Sequence, residues 1–283
     1  MNPSFHLVIL GADNPVGRAL TEQAQAHKLS IHAINVSDWD LTDLAKMHNN
    51  IKELAPTFLI NCLMPASEHM ALDAASVLSQ VCSAQSVPLV QVSSNAVFAG
   101  QDGEVFTEDD TAIPQGLLGI DTLEIEDTIR DSCEKHLILR VGWVFSSQGH
   151  DDISKIIELA KKHSQLTLSD RKTLCPTSAC DIASVLLAIT QQAQYGELWG
   201  TYHYSSVEPT NLCSLAEVVV AEAGQYEVLN VVDINSDASS KMNVHFAESS
   251  PKLNNKKLLY TFGIQQKTWR QALSRVLKQR YAK

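Results

Sequence analysis

The sequence predicts an α/β protein with a doubly wound parallel sheet and a smaller C-terminal α/β lobe. Two observations favour this fold class. Short apolar segments typical of buried strands alternate with longer helical segments along the chain, which is the pattern of βαβ units. The chain has 283 residues, of which 45% are hydrophobic and 19% are charged, and this is enough for one large α/β domain with an added lobe.

The overall charge argues against two classes of partner. A formal net charge of −10 leaves no basic face for duplex nucleic acid or for an anionic membrane surface.

The first apolar segment ends at Gly11, too early for a signal peptide or a membrane span, which predicts a cytoplasmic protein. The six cysteines show no Cys-x-x-Cys spacing, so we expect buried free thiols and no metal site.

The first strand and the turn after it are typical of a dinucleotide-binding unit. The apolar segment 5–10 is followed by Gly11, which permits a tight turn, and by a helix whose first N–H groups can face a diphosphate. Asn14 stands at the middle glycine of the Gly-x-x-Gly-x-x-Gly pattern, and its side chain occupies space that glycine leaves for the phosphates. The sequence of this turn is equally consistent with a dinucleotide site that is retained and with one that is lost.

The second strand, predicted at 29–36, is followed by several acidic residues. Asp38 is a candidate to accept hydrogen bonds from an adenosine ribose, which would favour NAD over NADP. Alternatively, the acids of this segment, such as Asp40 and Asp43, serve only to begin the next helix. The sequence leaves both interpretations open.

Apolar strands and helices continue to alternate further along the chain. A buried strand is predicted to end near Asn61, a helix to cover 70–86, and another strand to cover 88–94. Short strands of the smaller lobe are predicted at 163–167 and 228–233.

The chain is therefore predicted to form two parts. A dinucleotide-binding domain comprises residues 1–145 with about 178–205, and the smaller lobe comprises about 146–177 with 206–283. Ligands of such folds bind at the carboxyl ends of the strands, in the cleft between the two parts.

Several motifs occur in a characteristic order over nearly the whole chain. They are the glycine turn, Asp40-Leu-Thr-Asp43, Val92-Ser-Ser-Asn-Ala-Val-Phe-Ala-Gly100, Leu139-Arg-Val-Gly-Trp143 and Cys175-Pro-Thr177. Together they resemble the dTDP-4-dehydrorhamnose reductases of the extended short-chain dehydrogenase/reductase superfamily. The resemblance implies a Rossmann-like fold, NAD or NADP as the cofactor and a nucleotide sugar as the substrate. The candidate cofactor-binding residues are Gly11, Asn14, Pro15, Val16, Gly17, Asp38, Leu63 and Ser93.

The resemblance also implies a mechanism, of which this chain keeps one part. In that family a hydride passes from NAD(P)H to a sugar ketone and a Tyr protonates the alkoxide. A Lys four residues later lowers the pKa of that Tyr, and a Ser or Thr steadies the substrate oxygen. Only Ser94 matches, because Leu118 and Thr122 stand at the Tyr and Lys positions. None of the six tyrosines is followed four residues later by lysine.

These departures predict a divergent NAD(P)-binding protein without the standard reductase activity, serving as a sensor or as a regulatory subunit. The alternative is an NAD(P)-dependent reductase or epimerase that acts on a nucleotide sugar, such as a dTDP-4-keto-6-deoxyhexose, with a non-standard proton donor. Asp121, Glu124 and His69 are candidate substitute acids, although a surface or capping role is more typical of each. Analogy with the superfamily leaves a homodimer or a protein partner open.

Overall fold

Strands and helices alternate through the part of the chain that the computed structural model describes, which comprises residues 5–64, 70–99, 104–149, 151–171, 173–240, 242 and 251–282. The β-strands of these residues are, in chain order, β1 (His6–Leu10), β2 (Ser30–Ile34), β3 (Phe58–Asn61), β4 (Leu89–Ser94), β5 (Val105–Phe106), β6 (His136–Val141), β7 (Val144–Phe145), β8 (Gln165–Leu168), β9 (Thr173–Leu174), β10 (Thr177–Ser178), β11 (Gly200–Tyr204), β12 (Thr210–Asn211), β13 (Asp233–Ser236) and β14 (Lys252–Leu253). The α-helices of the same residues are α1 (Pro15–Ala26), α2 (Leu44–Leu54), α3 (Met70–Gln85), α4 (Leu117–Ser132), α5 (Asp152–Lys162), α6 (Ala179–Ala193), α7 (Leu212–Ala223), α8 (Lys256–Phe262) and α9 (Trp269–Tyr281). Short 3₁₀ helices at Val36–Asp38 and Asn95–Val97 follow β2 and β4.

Six parallel strands form the central sheet, in the spatial order β11, β6, β4, β3, β1, β2. β1 lies between β2 and β3, and the later strands are added outward from β3. The direction in which strands are added therefore reverses at β1, which places a topological switch point at the carboxyl ends of β1 and β3. This arrangement confirms the predicted doubly wound parallel sheet.

Helices cover both faces of the sheet, because successive side chains of a strand point to opposite faces. On β1, Leu7 and Ile9 pack in one hydrophobic cluster with α1 and α6, whereas Val8 and Leu10 pack in another with α2, α3 and α4. All four side chains are fully buried, and burying each contributes about 1.5–3 kcal/mol. In the described ranges, no helix has the length and apolar character that crossing a membrane requires.

A third hydrophobic cluster is built mainly from α5, α7, α9 and β8. Its buried aromatic side chains are Phe145 and Trp269. Its buried residues lie between positions 145 and 277, and the first of them, Phe145, belongs to the predicted dinucleotide-binding domain. The proposed domain boundaries themselves stay a prediction.

The two short strands predicted at 163–167 and 228–233 lie further along the chain than expected. They correspond to β8 and β13, which pair in parallel. The prediction for 228–232 is wrong because this segment is bound to the end of α5 instead of to a strand. The N–H groups of Asn230 and Val231 both donate to Ala160 O, at 2.9 and 3.0 Å.

The cysteines are free thiols in largely buried positions. Five of the six are buried and Cys180 is half-buried. Burial raises the pKa of Cys62 to about 12 and contributes most to raising that of Cys175 to about 11. These two thiols are therefore protonated and unreactive near neutral pH.

Candidate functional site

The turn between β1 and α1 has glycine at both ends for geometric reasons. Gly11 has a φ of +77°, a left-handed conformation that favours glycine. A Cβ on Gly17 would lie 2.0 Å from Gly11 O, so α1 packs against the turn too closely for any side chain there. The N–H groups of Gly11 and Ala12 donate to Ile34 O at 2.9 and 3.0 Å, which fixes the turn to the end of β2. The start of α1 therefore lies at the switch point, where a helix N-terminus can face a diphosphate.

Asn14 fills the middle of this turn and caps α1. Its Oδ1 accepts a hydrogen bond from Gly17 N–H at 2.8 Å, and its Nδ2 donates to Cys62 O at 2.6 Å, just beyond the end of β3. Pro15 begins the helix and has no N–H, so in the described residues only Val16 N–H remains unbonded in the first three helical positions. The glycines of the turn thus leave room for a diphosphate, and the Asn14 side chain reduces that room.

Two carboxylates are fixed beside the switch point, at the end of β2. Asp13 Oδ1 accepts a hydrogen bond from Val36 N–H at 3.2 Å, and Asp38 Oδ2 accepts one from Asn35 N–H at 2.8 Å. Asp38 is exposed, as its predicted contact with a ribose requires, and that contact stays a prediction. Asp43 has the alternative role expected of these acids, the start of the next helix, because it N-caps α2.

The remaining predicted cofactor-binding residues, Leu63 and Ser93, differ in what they offer. Leu63 is half-buried and its side chain lies against Gly11. Ser93 is buried, and its hydroxyl donates to Glu126 Oε1 at 2.5 Å. The Ser93 side chain is therefore used inside the protein, and only the backbone of this residue is left for a cofactor contact.

The three positions of the predicted catalytic group lie where α4 contacts the 3₁₀ helix after β4. Ser94 Oγ accepts a hydrogen bond from Ala96 N–H at 3.1 Å, which leaves its O–H as a donor. A Cβ on Gly119 would lie 2.2 Å from Ala96 O, so α4 packs directly on the 3₁₀ helix. Leu118 is 51% exposed, whereas Thr122 is buried and its Oγ1 donates to Leu118 O at 2.6 Å. Neither Leu118 nor Thr122 offers a proton to a ligand.

Two of the three candidate substitute acids, Asp121 and Glu124, lie on α4. Asp121 is half-buried and Glu124 is exposed, and no hydrogen bond of the described ranges joins either side chain to Ser94. His69 lies outside the described residues. A catalytic role for any of the three stays a prediction.

A buried ion pair next to Ser93 is the part of this region that sequence reasoning missed. Glu126 is fully buried and accepts hydrogen bonds from Arg140 Nε at 2.9 Å and from Arg140 Nη2 at 2.7 Å. Arg130 Nη2 donates to the same carboxylate at 2.5 Å. A signal was present, because Arg140 directly follows the buried apolar residues 137–139 of β6, and a buried guanidinium requires a buried acid. The pair holds the Ser93 hydroxyl and thereby the end of the strand that carries Ser94.

His203 extends this buried group to β11. Its Nε2 lies 3.4 Å from Arg140 Nη1, and its Nδ1 lies 3.3 Å from Phe106 O. Burial, together with the charge of Arg140, lowers the pKa of His203 to about 3. The imidazole is therefore neutral near neutral pH and serves in packing rather than in proton transfer.

Comparison with known proteins relates this arrangement to one family. A protein-family model described as the RmlD substrate binding domain matches residues 5–282. A curated protein of Sinorhizobium fredii, named dTDP-4-dehydrorhamnose reductase, is 22% identical, and the alignment covers 96% of this chain and 97% of that protein. A protein of the same name from Aggregatibacter actinomycetemcomitans is 26% identical, with 95% and 97% covered.

Solved structures share the fold over the whole chain. A dTDP-4-dehydrorhamnose reductase of Clostridium acetobutylicum has a TM-score of 0.82 at 22% identity, with 97% of this chain and 99% of that chain covered. A reductase of the same name from Bacillus anthracis, in complex with NADP, has a TM-score of 0.81 at 20% identity, with 99% of each chain covered. The Bordetella bronchiseptica enzyme WbmG, in complex with NAD and UDP, has a TM-score of 0.78 at 14% identity, with 98% and 95% covered.

Proposed function

Because the chain belongs to the RmlD substrate binding domain family, we propose that it binds NAD(P) and a nucleotide sugar and reduces a ketone of that sugar. The observation that carries this proposal is the match over residues 5–282, which includes both the turn at the switch point and the Ser94 region. The reductase relatives align over nearly their full length, so they favour a reductase over a relative that has lost the reaction.

The turn between β1 and α1 is the proposed site of the cofactor diphosphate. Its glycines allow the close approach of backbone that such a ligand needs, and the N-terminus of α1 favours negative charge. The NADP of the Bacillus anthracis reductase and the NAD of WbmG support a dinucleotide as the ligand class.

The carboxylates at the end of β2 favour NADH over NADPH. A ribose 2′-hydroxyl can donate a hydrogen bond to Asp38, whereas a 2′-phosphate would place further negative charge beside Asp38 and Asp13. The cation of Lys46 does not offset this charge, because it is already paired with Asp43 at 2.9 Å.

Ser94 is the side chain of the family's catalytic group that can still act on the substrate. Bound NAD(P)H would supply the hydride for the ketone carbon. Ser94 Oγ accepts a hydrogen bond from Ala96 N–H through one lone pair, and its O–H can donate to the ketone oxygen. Leu118 cannot protonate the resulting alkoxide, so the proton comes from water that reaches this half-exposed position. Without a positioned general acid the turnover is lower by about 10²–10⁴-fold.

A second candidate function is an NAD(P) sensor or regulatory subunit that binds the dinucleotide without turnover. The observation that favours it is the pair Leu118 and Thr122, since one side chain carries no proton and the other is bonded to its own helix.

One experiment separates these functions. The purified protein is titrated with NADH and with NADPH, followed by nicotinamide fluorescence and by calorimetry, and NADH oxidation is then measured with a dTDP-4-keto-6-deoxyhexose. We expect saturable micromolar binding of NADH, binding of NADPH at least about tenfold weaker, and slow but measurable oxidation. Ser94→Ala is the control, and it should lower turnover while leaving NADH affinity unchanged. Binding without turnover would favour the sensor, and no binding up to millimolar cofactor would overturn both functions.

A further inference from the structure

We propose that the Asn14 side chain competes with the dinucleotide diphosphate for the first turn of α1 and thereby sets the affinity of the site. The inference rests on the proposed function and deepens it by naming the residue of this chain that limits cofactor binding.

The first argument is the position of the Asn14 side chain. It spans the crevice between two elements, with Oδ1 bonded to Gly17 N–H on α1 and Nδ2 bonded to Cys62 O beyond β3. Its Nδ2 lies 2.8 Å from the point where a Cβ on Gly11 would stand, so the carboxamide lies directly over the glycine of the turn. A glycine at position 14 would leave this space to a ligand.

The second argument is the supply of N–H donors. Pro15 removes one donor of the first turn, and Asn14 Oδ1 occupies the Gly17 N–H. The turn before the helix is equally engaged, because Asn14 N–H donates to Gly11 O at 3.1 Å. In the described part of the chain, a diphosphate therefore meets a free Val16 N–H and gains the Gly17 N–H only if Asn14 releases it.

The third argument is that Asn14 can be displaced. Its two hydrogen bonds join neutral groups, whereas bonds from N–H groups to a phosphate are charge-assisted and stronger. A dinucleotide can therefore bind in the turn, but with an affinity reduced by the hydrogen bonds that Asn14 gives up. A reduction of about tenfold corresponds to one hydrogen bond of ordinary net strength.

The test is Asn14→Gly, measured by calorimetric titration with NADH and with ADP-ribose and by thermal unfolding. We expect both ligands to bind about tenfold more tightly or better, because the diphosphate is common to both. We expect the melting temperature to fall, because α1 loses its N-cap. Opposite changes in affinity and stability are the signature, since a residue with a purely structural role would lower both.

Asn211→Gly is the matched control. Asn211 caps α7 with the same geometry, its Oδ1 accepting from Ser214 N–H at 2.8 Å, and α7 belongs to the third hydrophobic cluster. This variant should lower the melting temperature and leave NADH affinity unchanged. If Asn14→Gly does not fold, Asn14→Ser still caps Gly17 N–H but is too short to reach Cys62, so it opens the crevice over Gly11 and should bind NADH more tightly than the unsubstituted protein, by less than tenfold.

The outcomes distinguish the inference from the function beneath it. Equal or weaker NADH binding by folded Asn14→Gly, with saturable binding by the unsubstituted protein, would overturn the role of Asn14 and leave the proposed function standing. Failure of both proteins to bind NADH and ADP-ribose up to millimolar concentration would overturn the proposed function and with it the inference.

Discussion

The side chains at positions 118 and 122 offer no free proton to a bound ligand. Leu118 presents an aliphatic group to solvent, and the Thr122 hydroxyl donates its hydrogen bond to Leu118 O. The scaffold around them places α4 close to the proposed site, since α4 packs on the 3₁₀ helix that follows Ser94. Chemistry could therefore be added without rebuilding the backbone.

The double variant Leu118→Tyr with Thr122→Lys should increase the rate of NADH oxidation with a dTDP-4-keto-6-deoxyhexose. The phenol would supply the missing general acid, and the ammonium would lower the pKa of that phenol. A positioned general acid is worth about 10²–10⁴-fold, so we expect an increase in kcat within this range. The measurement is steady-state oxidation of NADH at saturating sugar nucleotide.

The matched control is Leu117→Tyr with Asp121→Lys, which introduces the same side chains one position earlier. One residue turns a helix by about 100°, so this pair points away from Ser94. It should give no increase. An equal increase from both double variants, or none from the first while NADH still binds, would contradict the assignment of positions 118 and 122.

At the scale of the elements, the buried Glu126 joins α4 to the sheet. Its carboxylate bonds Arg140 on β6, Arg130 on α4 and Ser93 on β4. Removing one partner of such a pair leaves the other charge buried without compensation. The stability of this junction therefore depends on both charges being present.

Glu126→Gln should lower the free energy of unfolding by about 3–5 kcal/mol, because Arg140 would remain charged and buried. Urea denaturation monitored by circular dichroism measures this change. Asp127→Asn is the control, since Asp127 is exposed and also pairs with Arg130, at 2.6 Å. We expect it to change the free energy of unfolding by at most about 1 kcal/mol. Similar losses in the two variants would argue against a dominant role for the buried pair.

The central strands could be predicted because buried parallel strands are short, continuous apolar segments. The predicted segments 5–10 and 88–94 correspond closely to β1 and β4. The segment 228–232 was mispredicted because its backbone is bound by the end of α5, a contact that no local pattern reveals.

The site could be predicted only in part, because sequence identifies residue types but not their partners. The absence of Tyr and Lys at 118 and 122 is visible in the sequence, whereas the bond from Thr122 to its own helix is not. Ser93 was expected to face a cofactor, and its hydroxyl faces Glu126 on another element. Such pairings depend on how a helix is rotated against a sheet, which the spacing of residues does not determine.

For the molecule as a whole, the fold is shared with a solved structure of low sequence identity. A TM-score of 0.82 is reached at 22% identity. Apolar side chains in a core can replace one another when the total core volume is kept, whereas proton transfer depends on particular side chains. The predicted cytoplasmic location and the predicted homodimer or protein partner stay predictions.

The stability of the whole molecule should decrease in weak acid because of His203. The unfolded chain protonates this residue near pH 6.5, whereas the folded chain does so only near pH 3. Between these values the unfolded state binds more protons than the folded state. The free energy of unfolding therefore decreases as the pH is lowered, by up to about 1.4 kcal/mol per pH unit. His203→Gln should reduce this slope, measured by urea denaturation from about pH 7 to about pH 4. The exposed His163, replaced by Gln, should leave the slope unchanged, and an equal change in both variants would contradict the role of burial.

The close packing of Gly119 on Ala96 O limits where on α4 a phenol could be introduced by mutation. A rotation or shift of α4 that puts another residue at the place of Gly119 would bring a Cβ to within 2.2 Å of Ala96 O. Rotation of α4 therefore cannot bring Asp121 or Glu124 to the position of Leu118 while the helix keeps its packing on the 3₁₀ helix. In a mutant library selected for reduction of a sugar ketone, we therefore expect Tyr to appear at residue 118 rather than at 121 or 124.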